Sequence, residues 1–169
     1  MKTKGLIISI CMTLLCIQNI GYCQFRPQPK KTVAILNTLD KENNLEYAAK
    51  VMIRTYLSDA VGYYGKENFE VYERTDIGSM VDEWGFQQSG YVQESQIKRI
   101  GQMTGVDYIL VSEVMGLGNK QILLTAKIIN VSTGRIEGGT PNRRCDVGYD
   151  NYEAACRQLA GALLSRLID

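Results

Sequence analysis

The side chains that could do chemistry in this chain are few. There is no histidine among its 169 residues. That removes Ser-His-Asp triads, Cys-His dyads and imidazole metal sites. Carboxylates remain as acid–base candidates. Asp82 and Glu83 are adjacent, so on a helix they do not face one another, and with Glu67 and Glu70 they read as solvated faces. Gly116-Leu117-Gly118 lacks a third glycine and a following helix, so it reads as hairpin turn chemistry rather than a phosphate cradle. Asn130-Val131-Ser132 matches a glycosylation acceptor by pattern only. No catalytic constellation forms, and the residues imply no enzyme, no cofactor and no metal.

Cysteines come next, and they depend on the start of the chain. Lys2 and Lys4 precede an apolar run from Gly5 to Ile17, and Gly21-Tyr22-Cys23 offers small residues where a signal peptidase reads. Residues 1–23 are expected to be a secretory signal peptide, cleaved after Cys23. A second reading keeps Cys23 as the acylated anchor of a lipoprotein. Of the 5 cysteines, only Cys145 and Cys156 then remain. In an exported protein such a pair suggests a disulfide, and the alternative is two small buried thiols. Loss of Lys2 and Lys4 brings the 19 basic residues close to balance with the 18 acidic ones. A nucleic-acid binder normally carries a basic excess, so nucleic acid is not expected as a partner.

Aromatic residues are the remaining candidates. Tyr63, Tyr64, Trp84, Phe86 and Tyr91 gather near predicted helix ends and a polar loop. They read either as core and turn packing or as a partner-binding patch, because Trp and Tyr are favoured interface anchors. Trp84, Phe86 and Tyr91 are the partner-binding candidates, since Gln87, Gln88, Ser89 and Gly90 around them are polar.

The elements that must position these groups follow from periodicity. Residues 24–31, with Pro27 and Pro29, form an extended lead-in, and 32–169 is expected to be one domain. Thr32 to Leu36 reads as a buried strand. Asn43 with Glu46 has capping-box spacing for a helix whose inner face is Leu45, Ala48, Ala49, Met52, Tyr56 and Ala60, ending at Gly62. Phe69 to Glu73 alternates as a strand, a short helix runs from Thr75 or Asp76 to Trp84, and another spans residues 96–104 with Gly105 as its cap. Val106–Met115 and Gln121–Val131 form a hairpin around Gly116 to Lys120. A short edge strand covers 135–138, and 139–147 is expected to be irregular. Asp150 with Glu153 opens a final helix lined by Tyr152, Cys156, Leu159, Leu163 and Leu167. The order β-α-β-α-α-β-β-β-α implies an α/β fold with one mixed sheet of four or five strands and helices packed on it.

Three segments in this order carry a resemblance: Ile100-Gly101; Gly105-Val106-Asp107-Tyr108-Ile109-Leu110; and Ile129-Asn130-Val131-Ser132-Thr133-Gly134-Arg135-Ile136. They resemble the CsgG family of curli assembly and transport, and Val33 to Asn37 and Phe69 to Asp76 resemble its strands. The resemblance extends to the TolB amino-terminal domain and to LpoB, an activator of penicillin-binding proteins. It implies a non-enzymatic, exported periplasmic module that binds other envelope proteins in assembly or secretion. It also admits a ring- or pore-forming outer-membrane subunit, with homo-oligomerisation and peripheral outer-membrane association. Against the pore, the sequence shows no added amphipathic strands of about 9–11 residues with alternating lipid-facing positions.

Overall fold

The computed structural model describes residues 29–72, 99, 101–102 and 104–167. The signal peptide, the predicted helix 75–84, and Trp84, Phe86 and Tyr91 lie outside the described residues, as do Asp82 and Glu83. Among the described residues are six strands and two long helices: β1 (Lys31–Ile35), α1 (Tyr47–Tyr64), β2 (Phe69–Tyr72), β3 (Tyr108–Gly118), β4 (Gln121–Asn130), β5 (Ile136–Glu137), β6 (Asn142–Asp146) and α2 (Tyr149–Leu164). The fold is the expected mixed α/β arrangement. The sheet order is β2-β1-β3-β4, with β5 and β6 both pairing β4 on its far side. β1 is parallel to β2 and β3, and all later pairings are antiparallel.

The pattern of side chains explains the layers. β1 and the first half of β3 are buried on both faces, as strands in the middle of a covered sheet must be. On one face Val33, Ile35, Leu110, Val114, Ile122 and Leu124 pack with α1 and α2 into the main core. On the other, Ala34, Leu36, Ile109, Val111 and Ile129 form a smaller cluster. β4 alternates cleanly, with Ile122, Leu124, Ala126 and Ile128 pointing at the helices. Its hairpin with β3 turns at Asn119 (φ 50°) and Lys120 (φ 58°), the positive pair that suits a two-residue hairpin loop. The expected turn from Gly116 is therefore narrower: β3 runs on to Gly118, with a bulge between Gly116 and Gly118.

Several boundaries differ from expectation, each for a local reason. Asn43 cannot cap α1, because its φ of 53° lies in the left-handed region. Asp40 organises that turn instead, accepting the N–H groups of Asn44 (3.0 Å) and Leu45 (2.9 Å). The inner face of α1 is Ala49, Ile53, Leu57, Ala60 and Val61, so Met52 and Tyr56 lie at its margin and Ala48 is exposed. The helix passes through Gly62 and ends at Gly65, whose N–H bonds to Val61 O. The final helix starts one residue before Asp150, with Gly148 as its cap and no side-chain cap bond. Residues 142–146, expected to be irregular, form β6 along residues 121–125 of β4. Gly105 holds as a helix stop, with φ 71° and its N–H on Gly101 O at 2.7 Å.

Candidate protein-interaction groove

α1 and α2 pack together over the main core, close enough for the Cys156 Sγ to contact the carbonyl of Ile53 at 3.7 Å. Their inner faces consume the aliphatic residues. What they leave outside is tyrosine. Tyr63 and Tyr64 continue α1 past its last buried residue, and they are 68% and 45% exposed. Their rings stand edge to face, 5.1 Å apart at 85°. With Tyr56, Asp59 and Ala60 of α1 and Glu153 and Arg157 of α2 they line a groove of about 300 Å³. Tyr47 and Tyr149 add exposed aromatic surface on the same two helices.

The polar groups of the groove are mutually arranged. Arg157 donates from Nη2 (2.8 Å) and Nε (3.0 Å) to the same Glu153 oxygen, Oε1. The hydrogen bond and charge of Glu153 raise the Arg157 guanidinium above its ordinary value, with further contributions from Tyr64 and Tyr63. The Tyr56 phenol is pushed up by desolvation first and then by the charges of Glu153 and Asp150. Glu153 therefore anchors the groove rather than capping α2.

A second cavity, of about 180 Å³, is lined by Lys31, Val106, Asp107, Tyr108, Asn130, Val131 and Ser132. Its polar groups are engaged in holding the fold. Asp107 binds Thr32, and Asn130 Oδ1 accepts the N–H groups of Ser132 (2.9 Å) and Thr133 (3.1 Å) in the following turn. Asp107 and Asn130, which lie in the segments that carry the resemblance, are thus structural joints.

Of the residues singled out in the sequence, Tyr63 and Tyr64 reach the groove, while Glu67 and Glu70 are exposed. Cys145 on β6 packs against the core that contains Cys156, and both are free thiols in this structure. Burial is the main force pushing the Cys156 thiol up, to about 12, with Cys145 adding to it. Tyr56, Asp59, Glu153 and Arg157 were not legible as groove residues. The available signal was the i, i+3, i+7 spacing of Tyr56, Asp59 and Tyr63, a second stripe beside the aliphatic one.

No family model matches the sequence, and no curated protein matches it. Among solved structures, the chain is similar to the LpoB C-terminal domain from Salmonella enterica, at 17% identity over 69% of this chain and 82% of that one, with a TM-score of 0.51. It is also similar to lipoprotein GNA1162 from Neisseria meningitidis, at 13% identity over 82% of this chain and 95% of that one, with a TM-score of 0.50. At such identities the likeness is one of fold. The chain has an LpoB-like fold.

Proposed function

We propose that this chain is an exported, non-enzymatic module of the cell envelope, of the CsgG/TolB-N/LpoB kind, and that it binds a partner protein through the tyrosine groove between α1 and α2. The observation that carries the reading is the convergence of Tyr56, Tyr63 and Tyr64 on one groove while the aliphatic faces of both helices are spent on the core. Tyrosine gives large contact area at small entropic cost and is enriched at interface hot spots. The lack of histidine and the leader-like start of the sequence support the non-enzymatic and exported parts of the reading. Trp84, Phe86 and Tyr91 remain proposed partner-binding residues on the grounds of their type and polar neighbours.

The test places a photo-crosslinking amino acid at position 63 and irradiates envelope fractions of the source cells. One discrete adduct with another protein is expected, lost in the Tyr56→Ser, Tyr64→Ser variant. Crosslinking only to a second copy of the chain, in a large assembly on sizing, would favour the ring-forming alternative. No adduct at all would overturn the reading.

A further inference from the structure

The charge around the groove says what kind of segment it takes. Its lining holds two carboxylates, Asp59 and Glu153, and one cation, Arg157. Arg157 is already paired to Glu153, and both of its bonds go to Oε1. Asp150 lies near enough to act on the Tyr56 phenol. The lining therefore carries one carboxylate, Asp59, in excess of the mutually neutralised Arg157–Glu153 pair. An incoming carboxylate or phosphate meets net repulsion there, and an incoming cation meets attraction.

The rings point the same way. Tyr63 and Tyr64 stand nearly perpendicular, presenting a face and an edge in different directions at the groove wall. A guanidinium or ammonium over a tyrosine face is attracted by the ring quadrupole.

We infer that the groove recognises a basic side chain, Arg or Lys, on an exposed segment of the partner protein, with Tyr63 and Tyr64 against the cation and Asp59 as its counter-charge. This rests on the proposed docking role of the groove and adds the chemistry of the docked segment.

Three peptides test it: an alternating Gly-Arg octapeptide, its citrulline counterpart of the same shape without charge, and its Glu counterpart. Each is titrated into the full-length protein at low salt and followed by NMR of the tyrosine rings. The Arg peptide should shift the Tyr56, Tyr63 and Tyr64 resonances and the other two should not, with affinity falling as salt rises. The Tyr63→Leu, Tyr64→Leu pair should weaken binding by about two- to fivefold, the range of an exposed cation–π contact, and Asp59→Asn by up to about fivefold, the range of an exposed ion pair. The melting temperature should stay unchanged, which separates lost recognition from lost folding. Equal binding of the citrulline or Glu peptide, or shifts confined to residues outside the groove, would overturn the inference. A Tyr63 crosslink to a partner that is insensitive to Asp59→Asn would overturn it while leaving the docking role standing.

Discussion

Asp107 and Thr32 clasp each other from both sides. The Asp107 Oδ2 accepts the Thr32 backbone N–H at 2.9 Å and its hydroxyl at 3.2 Å. In return the Asp107 N–H is shared between the Thr32 carbonyl and its Oγ1, each at 3.1 Å. The joint ties the first strand to the start of β3. Asp107→Ala leaves the Thr32 N–H without its carboxylate partner and should destabilise by about 1–3 kcal/mol. Asp107→Asn keeps an acceptor and should cost less. Urea unfolding of the two variants gives the comparison, and equal stability of wild type and Asp107→Ala would remove the clasp from the account.

Acid should weaken the turn before α1. Burial pulls the Asp40 carboxyl up, but the N–H groups of Asn44 and Leu45, the Asn44 side chain and the Lys50 ammonium outweigh it and hold the pKa below 3.8. The Asp40 side chain is covered from solvent, with Lys50 Nζ 3.6 Å from Oδ2. A folded-state pKa below the unfolded one means that the carboxylate's contribution is present above 3.8 and is lost as pH falls through the lower, folded value. Asp40→Asn should therefore flatten the fall in stability below that point. An unchanged acid limb would show that other carboxylates govern it.

Gly101 meets Val131 across the edge of the smaller core. A Cβ at Gly101 would run into the Val131 side chain. Gly101→Ala should cost about 1–3 kcal/mol as an overpacking change. Adding Val131→Ala should recover part of that loss, although each substitution alone destabilises. A double-mutant cycle measures the coupling, and simple additivity would mean that the two do not touch.

Deep in the main core, Leu159 is fully buried. Leu159→Ala should cost about 2–5 kcal/mol, the transfer term plus the cavity it leaves. Tyr63→Ser, on the exposed side of the same helix pair, should stay within about 0.5 kcal/mol. Thermal unfolding of both variants tests the assignment of faces.

Cys145 and Cys156 are proposed to form a bridge when folding occurs in an oxidising compartment. Their two thiols would be oxidised while the disulfide of an exchange partner is reduced to two thiols. Such a short loop would add roughly 2–3 kcal/mol in the chain-entropy model. Burial raises both thiols, so neither is a ready nucleophile once folded, and the bridge should form during folding. In reduced native protein, the half-buried Cys145 should label before Cys156. Thiol labelling of exported protein, unfolded without reductant, should find no free thiol; two would discard the bridge.

The sequence showed the strong periodicities and hid whatever tertiary context decides. The β3–β4 hairpin and the inner face of α2 follow from apolar spacing, because burial selects apolar residues at those positions. β6 was hidden because Asn142-Arg143-Arg144-Cys145-Asp146 offers almost no apolar signal. It is a strand because β4 provides the ladder beside it. The start of α1 was misplaced because Asp40 reaches forward to Asn44 and Leu45, a bond pattern that competes with any capping box read from spacing. Half of the groove was visible in Tyr63 and Tyr64. The other half required knowing that α2 lies beside α1, which no local pattern encodes.

The strand order also makes the described residues two pieces sewn along one seam. Residues 29–72 supply β1, α1 and β2, and residues 104–167 supply β3 to β6 and α2. Among the described residues, they meet within the sheet where β1 and its extension lie beside β3: the Thr32–Asp107 clasp, the Val33–Ile35 ladder with Tyr108–Leu110, and the Leu39–Glu113 bridge. The buried Thr38–Ser112 hydroxyl pair at 2.9 Å and the packing of α1 on α2 reinforce the seam. Neither piece can hide its apolar face alone. A chain severed between residues 72 and 104 should therefore reassemble from two co-expressed fragments, eluting together and separating only in denaturant. The groove is formed by both pieces, so it would exist only in the reassembled pair.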